Sequence, residues 1–393
     1  MISRRALLKS AGMYAAIAQP WLGAQTLPSI PGAIPLKDIG QKSGRRIGVF
    51  TVAGVMAFNP ELVALTAREF SMVADMNDLK FSDRLRPTPD TYEFKYGDTV
   101  VQWAEQHSVP IRGHCLVWWN VLPKWFNSYV NASNGKQVMT DHITTTVKHY
   151  AGRMYSWDVV NEPIYHDHRP DGLRFHPWVE FVGPDYIDVA FHTAGAADPK
   201  ARLLLNECYI EHNTPSEIER RGQLLALLTR LKKSGVPIHG LGIQGHLRGN
   251  TPIDKPGMLT FVKQVKDLGL DILITEMDVD DIDVPVPMID QVVARKYGEF
   301  IDLVGPYASS ISFEWGFDDP HLRRPDGLIR RPDMFDENFQ PTPAYTAVSE
   351  ALGRLPRYSS STTTSELNSP LDIPQALQVD ESSTLLFASK DAR

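Results

Sequence analysis

The chain has 393 residues, which at about 150 residues per domain allows two or three domains or one large α/β barrel. Its 42% hydrophobic and 22% charged residues exclude wholesale disorder and a collagen-like chain, and a formal charge of −7 without a basic block in the body argues against nucleic-acid binding. No run of about 18 uncharged apolar residues follows the N-terminus, which excludes a polytopic membrane protein, and the two cysteines, Cys115 and Cys208, are too few for a disulfide scaffold.

The first 25 residues read as an address rather than as fold. Ser3-Arg4-Arg5-Ala6-Leu7-Leu8-Lys9 is a twin-arginine pattern, followed by a modest apolar stretch from Ala11 to Ala18 and small residues suited to cleavage. The expected product is exported, to the periplasm or the cell exterior. Residues 26–44 form an N-terminal extension, and residues 45–357 the main domain. From Tyr358 to Arg393 a Ser/Thr-rich stretch without clear periodicity reads as a disordered tail.

Between these ends, short β-branched or apolar runs appear at Arg46–Phe50, Met76–Phe81, Pro110–Val117, Ser156–Asn161, Arg202–Asn206, Gly240–His246, Asp271–Met277 and Ser310–Trp315. Helical periodicity fills intervals such as Pro60–Asp75 and Arg220–Lys233, with start signals at Pro60 and at Asp185 ahead of Tyr186–Ala196. Strands alternating with helices imply parallel pairing, hence a (β/α)8 TIM barrel or a doubly wound sheet. The barrel is preferred because polar or aromatic groups follow many of the runs: Asn77 and Lys80, His114, Asn161 and Glu162, Asn206 and Glu207, Gln244 and His246, Glu276 and Asp278. A doubly wound sheet would concentrate its chemistry at one switch point and usually announce a glycine-rich first turn, which is missing here.

Two carboxylates stand out. Glu162 closes the run Trp157-Asp158-Val159-Val160-Asn161, and Glu276 follows Ile272-Leu273-Ile274-Thr275, so each would emerge where a buried strand opens into the barrel mouth. Paired carboxyl groups in one sugar-sized cleft are what glycosidic cleavage needs, one to protonate the leaving oxygen and the other to attack or to activate water.

The segments Trp157-Asp158-Val159-Val160-Asn161-Glu162-Pro163 and Ile274-Thr275-Glu276-Met277-Asp278-Val279 resemble the acid/base and nucleophile signatures of glycoside hydrolase family 10, the retaining endo-β-1,4-xylanases. Gly113-His114-Cys115-Leu116-Val117-Trp118, Gly242-Ile243-Gln244-Gly245-His246-Leu247, Trp315-Gly316 and Phe335-Asp336-Glu337-Asn338-Phe339 fit the same family in the same order, over roughly residues 45–352. The resemblance implies a single catalytic barrel in which Glu162 is the acid/base and Glu276 the nucleophile. Asn161 would bond the sugar 2-hydroxyl, while Asp278 orients His246, and His246 and Gln244 hold Glu276 ionised and aimed. It implies Asn77, Lys80, His114, Trp118 and Trp315 as substrate-binding residues, the tryptophans by stacking on pyranose faces. The implied partner is a β-1,4-linked polysaccharide, xylan, handled by a monomer with no cofactor, no metal, no nucleic acid and no membrane after export.

Three positions depart from the family pattern. Met76 stands where an acidic residue normally precedes Asn77, Trp119 where histidine is common, and Leu322 where a second cleft tryptophan is expected. All three read as losses of polar or stacking contacts outside the catalytic pair. Two alternatives remain open at this level: a catalytically weak or inactive carbohydrate-binding barrel, and a metal-dependent barrel hydrolase using His166-Asp167-His168 with His176. Cys115 and Cys208 are expected as free, partly buried thiols.

Overall fold

A computed structural model of the protein describes residues 33–165, 167–314, 333–336 and 338–359. The export segment, Trp315, Gly316 and Leu322, His166, Glu337 and the tail beyond Ser359 lie outside the described residues.

Nine strands are present: β1 (Arg46–Thr51), β2 (Met72–Asp75), β3 (Ile111–Val117), β4 (Met154–Asn161), β5 (Arg202–Glu207), β6 (Gly240–Ile243), β7 (His246–Arg248), β8 (Asp271–Asp280) and β9 (Ala308–Phe313). β1 to β6 pair in sequence order, β6 pairs with β8, β8 with β9, and β9 returns to β1, every pairing being parallel. The result is a closed eight-stranded barrel, with the short β7 added beside the end of β8. Helices Pro60–Glu69, Lys95–Gln106, Gly135–His149, Tyr186–Ala197, Pro215–Lys233, Lys255–Asp267, Ile289–Val304 and Pro343–Arg354 supply the crossovers and the outer layer. This is the (β/α)8 TIM barrel expected from the alternation. Its strands are buried almost throughout because helices cover the outside and side chains fill the inside.

The second strand lies earlier than the sequence suggests. Met72 to Asp75 are all buried and form β2, while the run Met76–Phe81 is a loop. The reason is local: the helix beginning at Pro60 ends at Glu69, Phe70 turns extended, and the Asp75 carboxylate then accepts from the backbone N–H groups of Asp78 and Leu79, the latter at 2.9 Å. An aspartate bonding backbone three and four residues ahead folds a loop rather than continuing a strand. The run Gly240–His246 is also divided: Gly245, at φ 80°, turns the chain between β6 and β7.

Two helix starts behave differently. At Pro60 the preceding Asn59 side chain caps the Leu62 N–H at 3.0 Å, whereas Asp185 occupies the N-cap position ahead of Tyr186 without a side-chain capping bond. The extension contributes a helix, Leu36–Lys42, whose Leu36 and Ile39 are buried against the barrel. Both cysteines are free; they are fully rather than partly buried, and burial raises both thiols well above their usual pKa.

Candidate active site

The carboxyl ends of β3 to β8 converge on one polar cluster. Asn161 ends β4, and Glu162 follows it in the left-handed region at φ 54°, a conformation uncommon for a non-glycine residue and found disproportionately at functional sites. Its backbone N–H donates to the carbonyl of Asn206 on β5 at 2.8 Å; the Gln244 N–H donates to the carbonyl of Glu207, and the Glu276 N–H to that of Gln244, both at 2.9 Å. The barrel's own ladder thus carries four functional residues to one level.

Side chains then tie them together. The Asn206 amide donates to Asn161 Oδ1 at 2.9 Å and to Glu276 Oε1, while Thr275 Oγ1 donates to Asn206 Oδ1 at 2.7 Å. Gly242 makes this possible, because a Cβ there would lie 2.2 Å from Asn206 Oδ1. Gln244 donates to Asn161 Oδ1 at 3.1 Å and to Glu162 Oε1 at 3.4 Å, and Asn161 donates to Glu162 Oε1 at 3.3 Å. Gln244 therefore supports the acid/base candidate rather than Glu276, and the amide on Glu276 comes from Asn206. Sequence reasoning noted Asn206 as a strand-end group without assigning it to the site.

Glu276 is 7% exposed. Burial acts to raise its pKa but is outweighed by His114, His246 and Arg112, which together hold the carboxyl far below the usual range. His246 Nε2 stands 3.7 Å from Glu276 Oε2, and its Nδ1 lies 2.7 Å from Asp278 Oδ1, as the resemblance implies. Burial works against charge on His246, but Asp278, Glu276 and Glu314 raise its pKa well above the usual value, so it is an imidazolium at neutral pH. Glu314, at the end of β9, is a further acidic group that the sequence reading missed. Its carboxyl is pushed up to about 8, by burial first and by the Asp278 charge next.

His114 departs from its expected place. It lies within β3, 2% exposed, with Nδ1 2.8 Å from Asp158 Oδ2 and 3.7 Å from Glu276 Oε1. Arg112 on the same strand pairs with Asp158 and donates to the Thr275 carbonyl at 2.8 Å. These three side chains form a buried charged floor under Glu276, so His114 acts from beneath and not from the cleft wall. Arg112 and Asp158 went unremarked in the sequence, although a charge inside an apolar strand run was their visible signal.

The remaining candidates sit nearby. Lys80 holds its ammonium 4.8 Å from the Trp118 ring centroid, and the Trp118 ring lies 6.5 Å from that of His114. Asn77 stands exposed on the same loop as Lys80, and Met76 is half-buried beside it. Trp119 does not lose a polar contact with the catalytic pair, contrary to the sequence reading: its indole Nε1 donates to Glu162 Oε2 at 2.7 Å.

His168 and His176 are engaged in local structure. His168 Nδ1 accepts from the Phe175 N–H at 3.2 Å, and His176 caps the helix Pro177–Val182 through the Trp178 N–H. Burial holds the His176 imidazole down at about 3. Elsewhere among the described residues, Glu211, His212 and Glu217 are close enough to share a cation. His212 there donates to Glu217 at 3.1 Å and accepts from the Arg248 N–H at 3.0 Å, leaving neither ring nitrogen free to ligate.

Residues 35–351 match the model of glycosyl hydrolase family 10. An endo-1,4-beta-xylanase A from a Caldicellulosiruptor species is 32% identical over 314 residues, covering 73% of this chain and 43% of that protein. An endo-1,4-beta-xylanase 1 of Humicola insolens is 29% identical, covering 84% of this chain and 77% of its own. The chain spans between about a quarter and two fifths of the length of the first three such relatives. Among solved structures, native xylanase 10B from Thermotoga maritima superposes with a TM-score of 0.73 at 29% identity, over 81% of this chain and 98% of that one. Xylanase 10B from Thermotoga petrophila in complex with xylobiose superposes equally well.

Proposed function

The chain belongs to glycosyl hydrolase family 10, and from that premise we propose that it is an exported endo-β-1,4-glycanase that cleaves xylan with retention of configuration. The observation that carries the reading is the frame of Asn161, Asn206 and Gln244, which bonds Glu162 on one side and Glu276 on the other. Two carboxyl groups held by one rigid amide frame at the mouth of a barrel suit double displacement.

In this reading Glu276, kept ionised by His246 and by the floor of Arg112 and His114, attacks the anomeric carbon. Glu162 gives its proton to the departing glycosidic oxygen as the C–O bond breaks. Water then attacks the glycosyl–enzyme ester and loses its proton to Glu162, and Glu276 leaves as the carboxylate. Asn161, held from two sides by Asn206 and Gln244, is oriented toward the sugar 2-hydroxyl, a bond that strengthens as positive charge develops on the ring. Trp118 with Lys80, and Asn77, are the groups we assign to glycone sugars, together with Trp315 outside the described residues. Export rests on the twin-arginine pattern of residues 1–25.

Product analysis of the full chain on a panel of β-1,4-linked polysaccharides tests the proposal. Xylan cut to short oligomers is the expected outcome. Activity on another β-1,4-glycan alone would replace the substrate and keep the mechanism, and no hydrolysis of any would overturn the activity.

A further inference from the structure

Trp118 and Trp119 leave the end of β3 side by side, their rings 6.1 Å apart and steeply inclined, but they serve different partners. Trp118 lies under Lys80, whereas Trp119 turns toward Glu162 and makes the shortest side-chain hydrogen bond that carboxyl group receives, 2.7 Å to Oε2. The bonds to the other oxygen, Oε1, are long: 3.3 Å from Asn161 and 3.4 Å from Gln244. The two oxygens of the acid/base group are therefore not equivalent.

The indole is itself held. Arg174 packs its guanidinium 4.6 Å from the Trp119 ring centroid and 4.9 Å from that of Tyr165, while its Nε donates to the backbone carbonyl of Glu162 at 3.1 Å. A terminal nitrogen of the same guanidinium stands 3.8 Å from Glu162 Oε2. Arg174 is 7% exposed, so this cation acts largely unscreened by water. The stack continues with Arg220, 5.4 Å from the Tyr165 centroid and 5.8 Å from that of Tyr209. Tyr165, Arg220 and Tyr209 line an open cavity of about 580 Å³ that also contains His246 and Asp278. Aromatic and guanidinium planes thus alternate from the acid/base to the wall of a neighbouring pocket, and such contacts between desolvated groups resist displacement of any one ring.

We propose that Trp119 is the positioning residue of the acid/base, fixing Oε2 of Glu162 as a permanent acceptor and reserving Oε1 for the proton that moves. This rests on the acid/base role proposed above for Glu162. An indole N–H donates and cannot accept, and it neither gains nor loses a proton in the working pH range. A proton on Oε2 would compete with the indole hydrogen for the same lone-pair region, so the protonated form carries its hydrogen on Oε1. In the first step the Oε1–H bond breaks and the proton passes to the glycosidic oxygen, leaving Glu162 as a carboxylate. In the second step water gives a proton to Oε1 as its oxygen bonds the anomeric carbon. Oε2 keeps the same partner through both. A histidine at 119, which the family resemblance would place there, would add a titration and an acceptor of its own; tryptophan removes both.

The test uses the full chain with Trp119→Phe, which keeps a ring and deletes the donor, and Trp119→His, which restores one. Trp119→Phe is expected to lower kcat/KM on unactivated xylo-oligosaccharides roughly 10- to 100-fold. It should have little effect on a dinitrophenyl β-xylobioside, whose leaving group needs no proton. Trp119→His should recover part of the loss and bring a new ionisation into the pH profile. Independently of activity, the Trp119 indole N–H resonance, assigned by its disappearance in Trp119→Phe, should shift with pH in the parent protein and stop doing so in Glu162→Gln. Equal losses on both substrates without recovery by histidine would overturn the proposal, as would an indole resonance with the same pH response in Glu162→Gln. If Trp119→Phe does not fold by circular dichroism, Trp119→His and the resonance comparison decide. A parent protein inactive on every β-1,4-glycan would defeat the proposed function, while the resonance would still report whether the indole holds Glu162.

Discussion

The backbone N–H of Glu162 is hydrogen-bonded to the carbonyl oxygen of Asn206 at 2.8 Å, and the side chain of that same asparagine holds Glu276. One residue of β5 therefore sets the height of one carboxyl group and the aim of the other. Asn206→Ala should spare the backbone bond but release Glu276 and Asn161. We expect kcat/KM to fall roughly 10- to 100-fold, mostly in kcat, because a buried hydrogen bond to a charged group is lost where charge develops. Loss confined to KM would mean that Asn206 serves substrate binding instead.

The division of labour between the carboxylates predicts different behaviour on removal. Glu276→Ala should lose at least about 10⁴-fold on every substrate. Glu162→Ala should keep much of its glycosylation rate on activated aryl glycosides and respond to azide by releasing a β-glycosyl azide, since an anion needs no base to attack. With the parent enzyme, NMR should detect the β anomer first. An α anomer appearing first would reverse the nucleophile assignment.

Glu207 gives a pH-dependent stability term. It is fully buried, accepts from the backbone N–H groups of Ile164 and Cys208 at 3.0 Å, and is pushed up to about 7, chiefly by burial, despite the Arg220 guanidinium 3.6 Å away. A carboxyl raised on folding stabilises fully below its unfolded pKa, near 4.5, and loses that contribution as pH rises through 7. Glu207→Gln imitates the protonated form, so its stability relative to the parent should rise between pH 5 and pH 8, by at most about 3 kcal/mol. Denaturant midpoints at the two pH values measure this, and a constant difference would place the titration elsewhere.

Met76 offers a thioether where the family pattern has a carboxylate, and it is half-buried on the loop after β2, beside the exposed Asn77. If that loop meets a glycone sugar, Met76→Glu should raise kcat/KM by roughly 10-fold or more, only on xylo-oligosaccharides long enough to reach it. An unchanged or lower value at every length, in a folded variant, would make Met76 a packing residue.

The barrel was legible because each strand–helix repeat is written locally, in apolar runs, prolines and caps. β2 was not: its four buried residues merge with the preceding helical periodicity, and the apolar letters of Met76–Phe81 belong to a loop whose fold depends on the Asp75 carboxylate. Glu162 and Glu276 could be read from their strand ends and from the resemblance. Their supports were harder to read, since Asn206, Arg112 and Glu314 acquire meaning only through partners on other strands. Trp119 looked like a lost polar group because residue type alone does not reveal where an indole N–H points.

The seam of the barrel carries a consequence at its other end. The Tyr358 N–H donates to the Ser43 carbonyl at 2.8 Å, its hydroxyl donates to Asp271 Oδ1 at 2.6 Å, and Arg45 donates to the Pro356 carbonyl at 2.7 Å. The first and last strands are thus joined twice, by their own pairing and by a clasp formed from residues just outside them, much as a hoop is riveted where its ends overlap. Tyr358 is a part of that rivet and not the start of a tail. Trimming the protein at Arg357 would open the clasp and leave Asp271 without its tyrosine, whereas trimming after Tyr358 would keep it shut.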